Sequence, residues 1–144
     1  MKYYYIDANI FIYSTNPTDS RYSDCKTILE KIATSEIAAL TSVETFEEII
    51  HYGQKNKVLE HTIYLCEKLL TTDLAVVPFP KDLLFPFLKI VKKYLKLKID
   101  SRDLIHVISA LENGTDTIIS ADRDFDKISE IKRIDPSDLT FFPG

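Results

Sequence analysis

The stretch that constrains the fold most is residues 2–13, which read KYYYIDANIFIY. Its first part, Tyr3–Ile6, consists of aromatic and β-branched residues, which favour a buried strand. The run is too short for a helix and is broken at Asp7. An acid at that point is either a cap for a following helix or a functional carboxylate at the strand end. The stretch therefore predicts a central strand with Asp7 at its carboxyl end.

The length of 144 residues, with ordinary shares of apolar (45%) and charged (28%) residues, predicts one globular domain over residues 1–144. No stretch approaches the roughly 20 apolar residues of a membrane span, and the N-terminus lacks a signal-peptide pattern. Cys25 and Cys66 lie far apart, and His51, His61 and His106 form no zinc-type spacing with them. We therefore expect buried, reduced thiols and a cytoplasmic protein.

Short apolar runs alternate with amphipathic stretches of helical spacing along the chain. The predicted strands are 3–6, 37–40, 74–77, 117–119 and 131–134, and the predicted helices are 21–35, 42–54, 58–70, 81–97 and 100–113. Gly114 is typical of a residue that ends a helix, and Phe141 and Phe142 are expected to pack back near the end. This alternation predicts an α/β domain with a mainly parallel sheet.

Acids follow predicted strands, or stand in the first turns of predicted helices, at four places. They are Asp7; Glu44, Glu47 and Glu48; Asp100 and Asp103; and Asp122, Asp124 and Asp126. If the first, second and fourth strands are neighbours, these acids converge on one edge of the sheet. Clustered carboxylates repel one another, and a cation offsets that repulsion. Oxygen ligands with few histidines favour Mg²⁺ or Mn²⁺ over zinc.

Each acid also has a purely structural interpretation. Asp100 and Asp103 resemble a capping box at a helix start, and Asp122 is typical of a residue that begins a turn. Glu44 and Glu48 share a helix face opposite the apolar stripe, where a solvated position is the default. Helical periodicity does not choose between these two glutamates.

Four segments and a short tail carry a resemblance to a known family. They are YIDANIFIY (5–13), TSVETFEEI (41–49), DLIHVISALENG (103–114) and TIISADRDFDKI (117–128), with RIDP (133–136) after them. In order and spacing they resemble the motifs of PIN-domain nucleases, close to the small VapC-type toxins and stand-alone archaeal relatives. The matching segments span nearly the whole chain.

The resemblance implies a three-layer α/β/α sandwich with a mainly parallel central sheet, and a metal-dependent endoribonuclease acting on single-stranded RNA. Its acids would hold one or two Mg²⁺ or Mn²⁺ ions and match Asp7, Glu48, Asp103 and Asp122. Glu48 is selected because Ser42 and Thr45 align with the family's Ser and Thr. Outer helpers of the site would be Asn9, Ser120, Asp124 and Asp126.

Partners also follow from the resemblance. It implies an RNA substrate, a homodimer, and a small antitoxin protein that would block the acidic cleft with an Arg or Lys. Alternatives are a stand-alone RNA-processing protein, or a non-catalytic metal- or RNA-binding module whose acids are all caps. The net charge of −4 gives no global attraction for nucleic acid, so a cation or a local basic patch is needed. The lysines from Lys89 to Lys98 either guide the RNA backbone or form a solvated helix face.

Two other α/β families that bind Mg²⁺ fit the sequence less well. A phosphorelay receiver needs an Asp at the end of a middle strand and a Lys at the end of a later one. Pro78 and Ser120 stand at the corresponding points here. A haloacid-dehalogenase-type phosphatase needs DxD after the first strand, whereas Asp7 and Asn9 form DxN.

Overall fold

A five-stranded, all-parallel sheet forms the centre of the computed structural model, which describes residues 2–138. The strands are β1 (Tyr3–Ile6), β2 (Ala38–Ser42), β3 (Ala75–Val77), β4 (Thr117–Ile119) and β5 (Lys132–Ile134). Their order across the sheet is β3-β2-β1-β4-β5, and every neighbouring pair is parallel. The predicted central position of the first strand is therefore confirmed.

Helices cover both faces of this sheet. They are α1 (Ala8–Tyr13), α2 (Tyr22–Ala33), α3 (Val43–Lys55), α4 (Leu59–Leu69), α5 (Leu84–Lys93) and α6 (Ser101–Glu112), with 3₁₀ segments at Lys81–Leu83 and Arg123–Lys127. The first four helices pack on one face of the sheet, and α5 and α6 pack on the other. The predicted three-layer α/β/α sandwich is confirmed.

Side-chain alternation along β1 assigns its residues to the two cores. Tyr4 and Ile6 join the core under α1 to α4, whereas Tyr5 points into the core under α6. Tyr5 and Ile6 are wholly buried, as expected for a central strand covered on both faces. The phenol of Tyr5 is thereby directed towards α6, where it contributes to the site described below.

The carboxyl ends of β2, β1 and β4 lie side by side at one edge of the sheet. Asp7 directly follows β1, Ser42 ends β2, and Ser120 directly follows β4. The backbone N–H of Asp7 donates to the carbonyl of Ile119 at 3.1 Å, which keeps the ends of β1 and β4 together. The first, second and fourth strands are therefore neighbours, as the predicted convergence of acids requires.

The predicted helix 81–97 is too long at its end, because α5 stops at Lys93. Tyr94 hydrogen-bonds to Ser129 and Glu130 beyond the helix, and Leu95 is 75% exposed. A further helical turn would bury little apolar surface, so the amphipathic pattern alone does not extend the helix. Elsewhere Asp100 caps α6, and Gly114 follows it with a φ of +84°.

Cys25 and Cys66 are buried, free thiols, as predicted. Burial raises the pKa of the Cys25 thiol to about 12, so it stays protonated. None of the helices in residues 2–138 combines the length and the apolar character that a membrane span requires. The predicted packing of Phe141 and Phe142 lies outside the described residues.

Candidate active site

An open cleft of about 730 Å³ lies at the carboxyl ends of β1, β2 and β4. It is lined by all four acids that were predicted for the site, which are Asp7, Glu48, Asp103 and Asp122. Asn9 lines it as well. Glu44 and Glu47 lie on the same helix as Glu48 but are not among the lining residues. Helical periodicity did not choose between Glu44 and Glu48, but of these two glutamates only Glu48 faces the cleft.

Asp7 is both a helix cap and a cleft residue, so the two interpretations of this acid are compatible. It is 5% exposed, and its Oδ1 accepts a hydrogen bond from the backbone N–H of Ala8 at 2.8 Å. Burial raises the pKa of the Asp7 carboxyl, although His106 and Ser120 oppose that change. The raised pKa means that the neighbouring side chains do not fully offset the cost of burying a negative charge on Asp7.

Ser120 ties the end of β4 to the end of β1. Its hydroxyl donates to Oδ2 of Asp7 at 2.6 Å and accepts from the side-chain amide of Asn9 at 3.1 Å. It also accepts from the backbone N–H of Asp122 at 3.0 Å. One buried hydroxyl therefore fixes the carboxyl of Asp7 and the backbone that carries Asp122.

His106 lies directly beneath the cleft and is wholly buried. Its Nε2 is 2.9 Å from Oε2 of Glu48 and 3.6 Å from Oδ1 of Asp7. Its Nδ1 is 2.5 Å from the hydroxyl of Tyr5, which itself donates to Ser42 at 2.8 Å. Because the proton of Tyr5 is used on Ser42, Nδ1 of His106 is the donor to Tyr5.

The contacts of His106 favour its charged form. Burial disfavours an imidazolium, but the phenolic oxygen of Tyr5 and the carboxylates of Glu48 and Asp7 outweigh it and raise the pKa of His106 well above its ordinary value. Both ring nitrogens then donate hydrogen bonds. In this form His106 places a positive charge between Asp7 and Glu48.

A second group of carboxylates has less positive charge nearby to offset its negative charge. Asp103, Asp122 and Asp124 each offer an oxygen, and these oxygens lie within 4.8 Å of one another. Burial and the charges of Asp7 and Asp122 raise the pKa of Asp103 to about 8. Lys127 is 2.9 Å from Asp124 but is exposed. Crowded carboxylate oxygens of this kind match the ligand preference of Mg²⁺ and Mn²⁺, so the residues present fit such an ion.

The remaining predicted acids have other partners. Asp100 caps α6 and forms an ion pair with Arg102 at 3.2 Å, as a structural residue would. Asp126 forms an ion pair with Arg133 at 2.9 Å and does not line the cleft. Of the two outer helpers left open by the sequence, Asp124 lies beside the other acids and Asp126 points elsewhere.

His106 was not among the residues predicted for the site. A signal was present, since Asp103 and His106 stand three residues apart on α6, at the border of the stripe formed by Leu104, Val107 and Leu111. A histidine one turn from a candidate metal ligand, on the same border, can reach the same site. The missing information was that β1 would place Tyr5 beneath it.

Cations and aromatic rings form the rim of the cleft. They are Tyr13, Arg21, Tyr52, Lys55, Arg102 and Arg123. The lysines from Lys89 to Lys98 do not line this cleft; Lys89, Lys92 and Lys93 lie along a separate groove beside α5 and α6. Apart from His106, positive charge close to the acids therefore comes from the rim and not from that lysine cluster.

Comparisons with known proteins agree with this architecture. The model of the PIN domain family matches residues 4–131. The fold is similar to VapBC2 from Rickettsia felis, bound to a promoter DNA fragment (TM-score 0.74, 18% identity, 93% of this chain and 98% of that one). It is also similar to VapC20 from Mycobacterium tuberculosis, a Sarcin-Ricin loop cleaving toxin (TM-score 0.74, 13% identity, 89% and 95%).

DNA-bound VapBC from Salmonella typhimurium gives a TM-score of 0.73 at 17% identity, over 94% of this chain and 99% of that one. No curated protein matches the chain. At these identities the solved structures establish the fold alone, whereas the family model covers most of the sequence, including Asp7, Glu48, Asp103 and Asp122. The chain belongs to the PIN domain family.

Proposed function

We propose that this protein is a metal-dependent endoribonuclease that hydrolyses phosphodiester bonds in single-stranded RNA. The observation that carries the proposal is the convergence of four carboxylates from separate parts of the chain on one open cleft. Burial raises the pKa of both Asp7 and Asp103, so the protein's own side chains offset the negative charge of these acids only in part. Membership of the PIN domain family supports the same chemistry.

The residues that would hold one or two Mg²⁺ or Mn²⁺ ions are Asp7, Glu48, Asp103 and Asp122, with Asp124 as an outer helper. A bound ion would supply Lewis-acid stabilisation of charge on the phosphate and would lower the pKa of a bound water. Ser120 orients Asp7 through one oxygen and fixes the backbone of Asp122. Supporting contacts of this kind keep ligands in place before the ion arrives.

His106 orients the other side of the site. It donates to Oε2 of Glu48, so Oε1 of Glu48 stays available towards the cleft, where Arg102 is 4.0 Å away. Its charge also lowers the repulsion between Asp7 and Glu48 in the absence of metal. We assign His106 a positioning role, because its contacts are with the acids and not with the open cleft.

We further propose that the protein is the toxin of a toxin–antitoxin pair and acts in the cytoplasm as a homodimer. The support is the fold shared with VapBC complexes from several bacteria. A small antitoxin would place an Arg or Lys among the cleft carboxylates. Induction of the chain alone should arrest growth of a host cell, and co-expression of a short neighbouring gene should relieve the arrest. Normal growth on induction would favour a stand-alone RNA-processing role.

The nuclease proposal is tested by cleavage of a fluorescent single-stranded RNA with Mn²⁺. Asp7→Asn and Asp103→Asn should each lower the rate by at least about 100-fold, because each removes a ligand charge from the site. Asp82→Asn changes the same residue type at an exposed position outside the cleft and should cleave like the wild type. Addition of EDTA should stop cleavage by the wild type.

Titration calorimetry with Mn²⁺ separates the enzyme from a module whose acids are all caps. The wild type should release or absorb heat at millimolar Mn²⁺ or below, and Asp103→Asn should weaken that binding. A wild type that shows neither heat nor cleavage contradicts the proposal, as does unchanged cleavage by Asp7→Asn.

A further inference from the structure

The tripeptide Asp-Ser-Arg occurs twice in the chain, at residues 19–21 and 100–102. The two copies are far apart in sequence: the first ends directly before α2, and the second begins α6, with Asp100 as its N-cap. In both copies the arginine lines the acidic cleft. Two separate segments therefore deliver the same residue, from the same local sequence, to one site.

The two copies also have the same geometry. In the first, Oδ1 of Asp19 accepts from the backbone N–H of Arg21 at 2.8 Å and from its Nε at 2.9 Å, while Oδ2 accepts from Nη2 at 2.9 Å. In the second, the corresponding distances between Asp100 and Arg102 are 2.8, 3.2 and 3.2 Å. Each aspartate thus holds both the backbone and the guanidinium of the arginine two residues later.

We call this pair of contacts, from the two carboxylate oxygens of the aspartate to Nε and Nη2 of the arginine, a fork. It fixes a side chain that is otherwise among the most flexible. A free arginine loses up to about 2 kcal/mol of rotamer entropy when it is immobilised, and here that loss precedes any ligand. The fork uses Nε and Nη2, so the two donors on Nη1 lie outside it. Arg21 is held further by Tyr13, whose ring centroid lies 3.6 Å from its guanidinium carbon.

We propose that Arg21 and Arg102 are a preformed clamp for RNA phosphates next to the one that is cleaved. The clamp rests on the proposed function and gives it a substrate contact. A protein with a net charge of −4 and an acidic cleft repels RNA unless local cations face the strand. Both guanidinium groups lie at the rim, where a strand would pass, and Nη1 of each is outside its contacts with the aspartate.

A purely structural role for the forks makes a different prediction. Asp100 caps α6, and a fork that only stabilises a helix start would affect folding and not RNA. Salt dependence separates the two, since each phosphate contact adds about 0.7 to the slope of log affinity against log salt for single strands. A helix cap contributes nothing to that slope.

The experiment measures Mn²⁺-dependent cleavage of a fluorescent single-stranded RNA between about 50 and 200 mM KCl. Arg21→Gln and Arg102→Gln should each raise KM about fivefold, and the double variant about 25-fold, with kcat within about twofold. The salt slope of kcat/KM should become shallower by about 1.4 in the double variant. Arg21→Lys keeps the charge without the fork, so it should keep the slope with an intermediate KM.

Lys26→Gln is the matched control, because it removes one positive charge from α2 outside the cleft and should leave KM and slope unchanged. Thermal unfolding of each variant reports on folding, and the single variants keep the test open if the double variant does not fold. Wild-type KM and slope in Arg21→Gln and Arg102→Gln, with an active wild type, overturn the clamp and leave the nuclease proposal intact. A wild type that does not cleave RNA overturns both.

Discussion

His106 contacts acids from two separate elements of the cleft. It bonds to Glu48 on α3 and lies 3.6 Å from Asp7 at the end of β1, while its other nitrogen contacts Tyr5. Removing one partner from a buried charge group leaves the others uncompensated, which is costlier than losing an exposed pair. The residue therefore couples the stability of the domain to the geometry of the candidate metal site.

We expect His106→Leu to lower the free energy of unfolding of the metal-free protein by about 3 kcal/mol. The physical cause is the loss of the cation between Asp7 and Glu48, with little change in side-chain volume. Urea unfolding in EDTA measures the effect, and His61→Leu at an exposed position of α4 is the control. Equal stability of these two variants would contradict the stabilising role of His106.

At the scale of elements, the contact between α3 and α4 depends on Gly53. A Cβ at this position would lie 2.0 Å from Oγ1 of Thr62 and 3.1 Å from the backbone of Leu59. The two helices approach so closely because glycine has no side chain. Since α3 also carries Glu48, this approach contributes to the placement of a cleft carboxylate.

Gly53→Ala should destabilise the protein by about 1–2 kcal/mol, because overpacking outweighs the higher helix propensity of alanine. Gln54→Ala, on the exposed face of the same helix, should have little effect in denaturant unfolding. The cost of Gly53→Ala should fall when Thr62 is also Ala, since the nearest clashing atom is then gone. Additive effects in that double variant would place the strain elsewhere.

The elements that the sequence predicts best are those whose limits depend on local chemistry. The bounds of β1 and β4 are as predicted, because Asp7 ends one buried apolar run and Ser120 ends the other. The predicted end of α5 was wrong, because the observed end depends on a contact between Tyr94 and Glu130, 36 residues apart. Periodicity contains no information on such a contact.

In the candidate site, too, features set by local sequence were predicted and features set by distant contacts were not. Acids at strand ends and helix starts predict convergence on one edge of the sheet, and the family resemblance selects Asp7, Glu48, Asp103 and Asp122 among them. The structure brings these four acids to one cleft. Their catalytic roles stay predictions. The burial of His106 among them could not be predicted, because it requires the neighbourhood of β1 and α6 and the phenol of Tyr5.

At the scale of the whole molecule, the buried charges predict how stability depends on pH. The pKa of Asp103 is raised to about 8 in the folded chain, and those of Asp7 and His106 are also raised. For each of these groups the folded state binds protons more tightly than the unfolded state. Stability linked to them is therefore greatest at low pH and falls as pH rises through the folded pKa.

Groups with lowered pKa values act in a different window. Partial burial raises the pKa of Glu130, but hydrogen bonds from Lys93 and Tyr94 outweigh burial and lower it to about 2. Glu130 therefore stabilises the fold above the ordinary pKa of a glutamate, and this stability is lost only in acid. Asp19, Asp100 and Asp135 behave likewise, because hydrogen bonds from neighbouring groups lower their pKa values. Between about pH 5 and pH 8 these acids are ionised in both states, so they give no slope there.

The metal-free protein should therefore lose stability between about pH 5 and pH 8, by up to about 1.4 kcal/mol per pH unit for each proton released. Thermal unfolding in EDTA across this range measures the slope. Asp103→Asn should flatten it, whereas Asp82→Asn, an exposed control, should not. Mg²⁺ or Mn²⁺ should raise the melting temperature most at pH 8, because ion and proton compete for the same carboxylates. A melting temperature that rises with pH in EDTA would contradict the burial of uncompensated acids at this cleft.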